Sequence, residues 1–336
     1  MSPRIVLTRP LPPTASAMLA EVGDVVAPEG VEPLSREALL SLVAGADAIV
    51  SQLYDVIDAE ILAAADGRLR LVANVAAGYD NIDVAAAEAR GVAVTNTPGV
   101  LTDATADITV GLILMVMRRL GEGERLLRRG DDWSWDLEFM LGTSLRGRTL
   151  GVVGFGQIGR AVAVRAKAFG MQVVRASARP GAAPSPDGAP ADVAELSLEQ
   201  LLAAADVVSL HCPLTPHTRH LINAERLGLM RPGSYLVNTA RGAIVDETAL
   251  VQALRAGHIA GAALDVFEHE PRVTPELLEL ENVVAVPHLG SATREVRDAM
   301  AELAASNVVA CLAGRALPTP VSVPRAAGAV AGRGAR

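Results

Sequence analysis

Short runs of β-branched and aliphatic residues alternate along this chain with longer Ala- and Leu-rich stretches of helical period. The runs expected to be strands are Ile5–Thr8, Ala48–Ser51, Leu71–Val75 and Val92–Thr95. A second series follows: Thr149–Val153, Gln172–Ala176, Val207–Leu210, Tyr235–Asn238, Ala262–Val266 and Val283–Val286. Strand–helix alternation builds a parallel sheet with helices on both faces. Two series predict two such sheets. After the turn Thr97-Pro98-Gly99, Asp103–Leu120 reads as one long helix, and Ser291–Ala313 reads as another near the end. Either could cross from one domain to the other. The expected organisation is therefore discontinuous: residues 1–100 with 290–316 form one domain, and residues 101–289 form the second, inserted one. Ligand sites favour domain interfaces, so an interdomain active-site cleft is expected. Arg179–Pro190, rich in Pro, Gly and Ala, is expected to be a surface loop. Residues 317–336 show no periodicity and are expected to be a disordered tail.

A length of 336 residues suits two cores better than one. Half the residues are hydrophobic and 20% are charged, as in a globular protein. The net charge of -8 argues against a nucleic-acid partner. Cys212 and Cys311 are the only cysteines and form no CxxC pair, so neither a disulfide framework nor a zinc site is indicated. No His/Cys/Asp cluster has metal-ligand spacing, and no metal is expected. The longest apolar stretch, Ile108–Met117, is about half of what a bilayer span needs. Ile5-Val6-Leu7 is too short to read as a signal peptide. These features predict a cytoplasmic protein with no membrane partner.

The first chemical signal is Gly154-Phe155-Gly156-Gln157-Ile158-Gly159, between the strand Thr149–Val153 and a helical pattern over Gln157–Phe169. A GxGxxG in that setting binds a dinucleotide. Gly154 permits the tight turn, Gly156 lets the pyrophosphate approach, and Gly159 lets helix and strand pack closely. The pyrophosphate then lies at a helix N-terminus, beside Gln157 and Ile158. The end of the next strand selects the cofactor. An acid there would hold the ribose 2′-hydroxyl of NAD, but this chain has Ser177 with Arg179 close behind. A hydroxyl and a guanidinium suit a 2′-phosphate, so NADP(H) is expected over NAD(H).

Further motifs follow in order: Ala77-Gly78-Tyr79-Asp80-Asn81-Ile82-Asp83, Asn96-Thr97-Pro98-Gly99-Val100-Leu101-Thr102, His211-Cys212-Pro213-Leu214-Thr215, Asn238-Thr239-Ala240-Arg241-Gly242, Glu270-Pro271 and Pro287-His288. With the glycine loop, they make residues 1–316 resemble the D-isomer-specific 2-hydroxyacid dehydrogenases, nearest to the glyoxylate/hydroxypyruvate reductase branch. The resemblance implies a flavodoxin-like substrate domain and a Rossmann cofactor domain. It also implies reduction of a small 2-oxo acid to the D-2-hydroxy acid. His288 would be the general acid/base, a task suited to a group whose ordinary pKa is about 6.5. Glu270 would pair with the other ring nitrogen and favour the protonated ring. Arg241 would hold the substrate carboxylate and polarise the carbonyl.

The resemblance further implies that the backbone N–H groups of Ala77 and Gly78 hold the same carboxylate. Leu53 would wall the substrate. Thr105 and Asp265 would lie near the nicotinamide, His211, Cys212, Pro213 and Thr218 would line the adenosine side, and Thr239, Ala240, Arg241, His288 and Gly290 would also bind the cofactor. The arm carrying Trp133 and Trp135 would join a homodimer, with Trp135 reaching the partner's substrate. Neighbouring activities remain open. These are reduction of 2-ketogluconate and an NAD-dependent D-3-phosphoglycerate dehydrogenase, the latter disfavoured by the short tail and by Ser177. Formate dehydrogenase is disfavoured because Glu270 stands where that group has Gln. A nucleotide-sensing corepressor would carry long partner-binding extensions that this sequence lacks.

Overall fold

The computed structural model describes residues 2–177 and 193–322. The chain divides into two compact units, residues 1–100 with 293–336 and residues 101–292. The expected surface loop from Arg179 lies outside the described residues.

The first unit opens with β1 (Arg4–Leu7), β2 (Asp24–Val26), β3 (Ala48–Ser51), β4 (Leu71–Asn74) and β5 (Ala93–Thr95). They pair in parallel in the order 2-1-3-4-5, the flavodoxin-like order. β3 and β4 are buried throughout, which is why they read as unbroken apolar runs. β2 escaped the sequence reading because it has three residues at a sheet edge, one of them an exposed Asp. The connecting helices are capped as their sequences allow. Ser35, Asp58 and Asp83 each accept a backbone N–H of the first turn. The late helix Arg294–Leu312 returns to this unit, and Ala301, Ala304, Ala305 and Val308 share a core with Leu19, Val50 and Leu71.

The second unit contains β6 (Thr149–Val153), β7 (Gln172–Ala176), β8 (Ala194–Glu195), β9 (Val207–Leu210), β10 (Tyr235–Asn238), β11 (Gly261–Leu264) and β12 (Val283–Ala285). The seven are parallel, in the order β12-β11-β10-β9-β6-β7-β8. This is the Rossmann order with one strand added. The strand order reverses between β6 and β9, and the loops at their carboxyl ends flank the crevice where such sheets bind ligands. Two doubly wound parallel-sheet domains were expected and are present.

Two expectations need correction. The helix read as Asp103–Leu120 is two helices, Thr102–Met117 and Leu120–Arg129. The Met117 carbonyl accepts the Thr143 N–H at 2.7 Å instead of continuing the ladder, and Arg119 turns left-handed at φ 55. That break depends on a residue distant in sequence. Within the tail expected to be disordered from 317, the described residues 317–322 are ordered. There β13 (Pro320–Ser322) pairs antiparallel with β5. Thr319 secures the approach, because its N–H donates to Asn307 Oδ1 at 3.1 Å and its hydroxyl donates to the Asn96 carbonyl at 2.6 Å. Composition misled here because backbone pairing to a sheet edge needs no apolar period.

Gly151 on β6 marks a close helix–sheet approach. A Cβ there would stand 2.5 Å from Leu201 Cδ2 and 2.9 Å from Ala205 Cβ. Gly151→Ala should therefore destabilise the second unit by about 1–3 kcal/mol. Urea unfolding followed by circular dichroism measures this; an unchanged midpoint would mean that the helix Leu198–Ala204 can retreat.

Candidate active site

The glycine loop leaves the carboxyl end of β6. Gly154 has φ 91, and a Cβ there would lie 2.6 Å from the Cys212 backbone nitrogen. At Gly159 a Cβ would lie 2.3 Å from the Gly154 carbonyl oxygen. At Gly156, by contrast, a Cβ would meet nothing within 4 Å. Two glycines thus close the turn, while the third leaves open space at the start of the helix Gln157–Ala168. No side chain caps that helix. Open backbone at an uncapped N-terminus fits a pyrophosphate. Phe155 between the glycines is buried, with the Arg175 guanidinium 5.4 Å over its ring. Arg175 in turn holds Glu195 at 2.6 Å. Ser177 follows the end of β7 directly, as expected, whereas Arg179 lies outside the described residues.

Across the switch point, His211, Cys212 and Pro213 follow β9. The His211 ring pairs through Nε2 with Ser209 Oγ at 2.8 Å. Burial pushes its pKa down to about 4, so the ring is neutral. Burial pushes the Cys212 thiol up to about 12, which makes it a packing residue and not a nucleophile. The Thr218 hydroxyl donates to the Pro213 carbonyl at 2.7 Å and accepts the Thr215 N–H at 2.7 Å, folding this segment back.

The residues read as catalytic stand on successive loops at the same end of the sheet. Asn238, the last residue of β10, accepts the Ala240 N–H at 3.0 Å and donates to the Arg241 carbonyl at 2.9 Å. The Arg241 side chain donates through Nη1 to the Ala240 carbonyl at 2.8 Å. Gly242 then allows the closest loop approach in the site, since a Cβ would fall 1.8 Å from the Phe267 carbonyl carbon. The loop after β11 carries Glu270. Its Oε1 accepts the Phe267 N–H at 2.9 Å, and its Oε2 lies 2.8 Å from His288 Nδ1. Both side chains of the pair are mostly shielded, at 18% and 15% exposure. His288 is left-handed at φ 53, a costly backbone for a non-glycine residue.

Asp265 fixes that conformation. Its carbonyl accepts the His288 N–H at 2.8 Å, and its carboxylate accepts the N–H groups of Leu289 at 2.5 Å and Gly290 at 2.8 Å. Burial raises its pKa; the Leu289 N–H and the nearby His288 oppose the rise. Thr239 shares a hydrogen bond of 2.9 Å with Thr109, which donates to the Thr105 carbonyl at 2.7 Å. Thr105 lies against Gly290. The sequence reading missed Asn238, Ser209, Thr109 and Glu247 as supports. Buried Glu247 accepts the Glu268 N–H at 2.7 Å and is also bonded to Thr274, bracing the loop of Glu270. A polar residue at the end of an apolar strand was the available signal for Asn238. Nothing local marked Glu247.

In the first unit, Leu53 follows β3 and Ala77 and Gly78 follow β4, all half-buried. Trp135 is 76% exposed, and Trp133 stacks on Phe139 at 5.9 Å. Among the described residues, no group of His, Cys, Asp and Glu could hold a metal ion, and no helix is long and apolar enough to cross a membrane.

A Rossmann sheet, an open glycine loop and a His–Glu pair on adjacent loops define a dinucleotide-dependent oxidoreductase. The chain belongs to the D-isomer-specific 2-hydroxyacid dehydrogenases: residues 110–290 match the NAD-binding domain of that family. Among its relatives, a glyoxylate reductase of Thermococcus onnurineus is 47% identical over 328 residues, covering 96% of each chain. The crystal structure of a glyoxylate reductase from Paecilomyes thermophila matches with a TM-score of 0.85 and 33% identity, covering 95% of this chain and 98% of that one. An NADPH-dependent glyoxylate/hydroxypyruvate reductase of Sinorhizobium meliloti, solved with NADP and malonate, matches with a TM-score of 0.83 and 34% identity. The match covers 98% of this chain and 100% of that one.

His211 also makes the stability of the second unit depend on pH. Its folded pKa of about 4 lies below the unfolded value, so the contribution is full above about pH 6.5 and is lost as pH falls towards 4. The loss reaches at most about 3 kcal/mol. Melting temperatures of the wild type and His211→Asn across pH 4–7 should converge on acidification; parallel curves would refute this.

Proposed function

We propose that this protein reduces glyoxylate or hydroxypyruvate to the D-2-hydroxy acid with NADPH. The observation that carries the reading is the 2.8 Å contact between His288 Nδ1 and Glu270. With Nδ1 committed to the carboxylate, Nε2 is the nitrogen left to give a proton to the substrate carbonyl oxygen. Glu270 holds the orientation of the ring before and after transfer. Arg241 takes the substrate carboxylate and draws charge towards the carbonyl, and the N–H groups of Ala77 and Gly78 take the same carboxylate. Leu53 supplies an apolar wall. When bound, the dinucleotide supplies the hydride to the carbon beside the carboxylate. Oxidation of the hydroxy acid is the same path reversed, with neutral His288 accepting the proton.

NADPH is favoured over NADH by the chemistry at the end of β7, where Ser177 replaces an acid and Arg179 follows. The acid brought alongside on β8, Glu195, is engaged by Arg175. The relative solved with NADP supports the same preference. A homodimer in the cytoplasm completes the reading. Leu127, Trp135 and Leu137 are 61%, 76% and 79% exposed, more apolar surface than a solitary arm needs, and Trp135 is assigned to the partner's substrate site.

The first test compares NADPH and NADH with glyoxylate, hydroxypyruvate, 2-ketogluconate and 3-phosphohydroxypyruvate. The expected result is the highest kcat/KM for NADPH with one of the first two. Faster NADH-dependent reduction of the phosphorylated acid would replace both the cofactor and the substrate assignment. In a second test, His288→Ala and Arg241→Ala should each lose about three orders of magnitude or more in kcat/KM while folding normally. Glu270→Gln should lose less, because the ring keeps a hydrogen-bonding partner at Nδ1. Turnover near wild type in either alanine variant would remove that residue from the mechanism.

A further inference from the structure

The loop after β4 is held by its carbonyls. The Thr97 N–H donates to the Ala76 carbonyl at 2.8 Å. Asn96 Nδ2 donates to the Ala77 carbonyl at 2.7 Å, and Asn74 Nδ2 donates to the Gly78 carbonyl at 3.0 Å. A trans peptide is planar, with its N–H opposite its C=O. Fixing the carbonyls of Ala76 and Ala77 therefore aims the N–H groups of Ala77 and Gly78 the other way. Both N–H groups are thereby turned away from Asn96 and Thr97.

The donors that do this are themselves tied. Asn74 is fully buried, accepts the Ser51 hydroxyl at 2.9 Å, and also donates to Asn81 Oδ1 at 3.0 Å. Asn81 donates to the carbonyls of Gln52 at 3.1 Å and Asp55 at 3.0 Å, joining this loop to the one after β3. Asn96 is locked from behind. Its carbonyl accepts the Thr319 hydroxyl at 2.6 Å, and buried Asn307 donates to that hydroxyl at 2.8 Å. A chain of side-chain amides thus runs from the C-terminal strand to the peptide planes of the loop.

We propose that Asn74, Asn81 and Asn96, with Thr319 behind Asn96, are positioning residues that preset the Ala77 and Gly78 amides for the substrate carboxylate. This rests on the assignment of those amides to the carboxylate. None of the four need touch substrate; they remove the cost of ordering two donors at the moment of binding. Such a role concerns substrate affinity and not proton or hydride transfer.

The test compares the wild type with Asn96→Ala, with Asn96→Asp, which keeps the size but loses the donor, and with Thr319→Val. In both Asn96 variants, KM for the 2-oxo acid and Kd for oxalate should rise about tenfold. In both, kcat should stay within about threefold and KM for NADPH should be unchanged. Thr319→Val should shift the same constants by a smaller factor and carries the comparison if the Asn96 variants do not fold. Hydrogen exchange at residues 76–80 should quicken in each. Unchanged substrate constants, or a joint loss of kcat, cofactor binding and melting temperature, would overturn the proposal while leaving the catalytic reading in place. A wild type that neither reduces any 2-oxo acid nor binds oxalate would overturn the carboxylate assignment and this proposal with it.

Discussion

The parallel register of β10, β11 and β12 is the constraint on which the site depends. Asn238 is paired with Leu264, and Leu264 with Ala285. Strands in register lie about 4.8 Å apart, and parallel strands release their loops at one edge. Arg241, Glu270 and His288 leave the sheet from these three neighbouring ends. Gly242 lets the first loop press on the second at Phe267, and the second reaches the third through Glu270 and His288. No residue of the set is near another in sequence, yet adjacent strands leave them little freedom to separate.

Backbone amides do much of the remaining work. Asp265 accepts two of them and holds His288 in a left-handed conformation that would otherwise relax. Glu270 and Glu247 each accept one, at Phe267 and Glu268. A carboxylate satisfied in this way by backbone N–H groups is held in one place. Asn238 performs the neutral version of the task for the turn that carries Arg241.

The first unit uses side-chain amides for the same purpose. Its loops after β3 and β4 are joined through Asn74 and Asn81, and Thr319 ties the C-terminal strand into the group. Residues 317–322 are therefore part of this unit's architecture, although their composition suggested otherwise. Local pattern measures whether a segment can bury an apolar face; it does not register a single hydroxyl bonded to a distant carbonyl.

The sequence by itself determined the two parallel sheets, nearly all their central strands and the dinucleotide loop. Each is written in a local signal: an apolar run, a helical period, or glycines at fixed spacing. The resemblance of ordered motifs to a known family pointed to Arg241, Glu270 and His288 as candidates, and the fold sets them on loops after three neighbouring strands. Tertiary structure alone decided the edge strands β2, β8 and β13, the break after Met117, and the supports Asn238, Glu247, Thr109 and Asn96. Each of these depends on a hydrogen bond or a strand pairing with a distant residue, and such partners leave no mark in the local pattern.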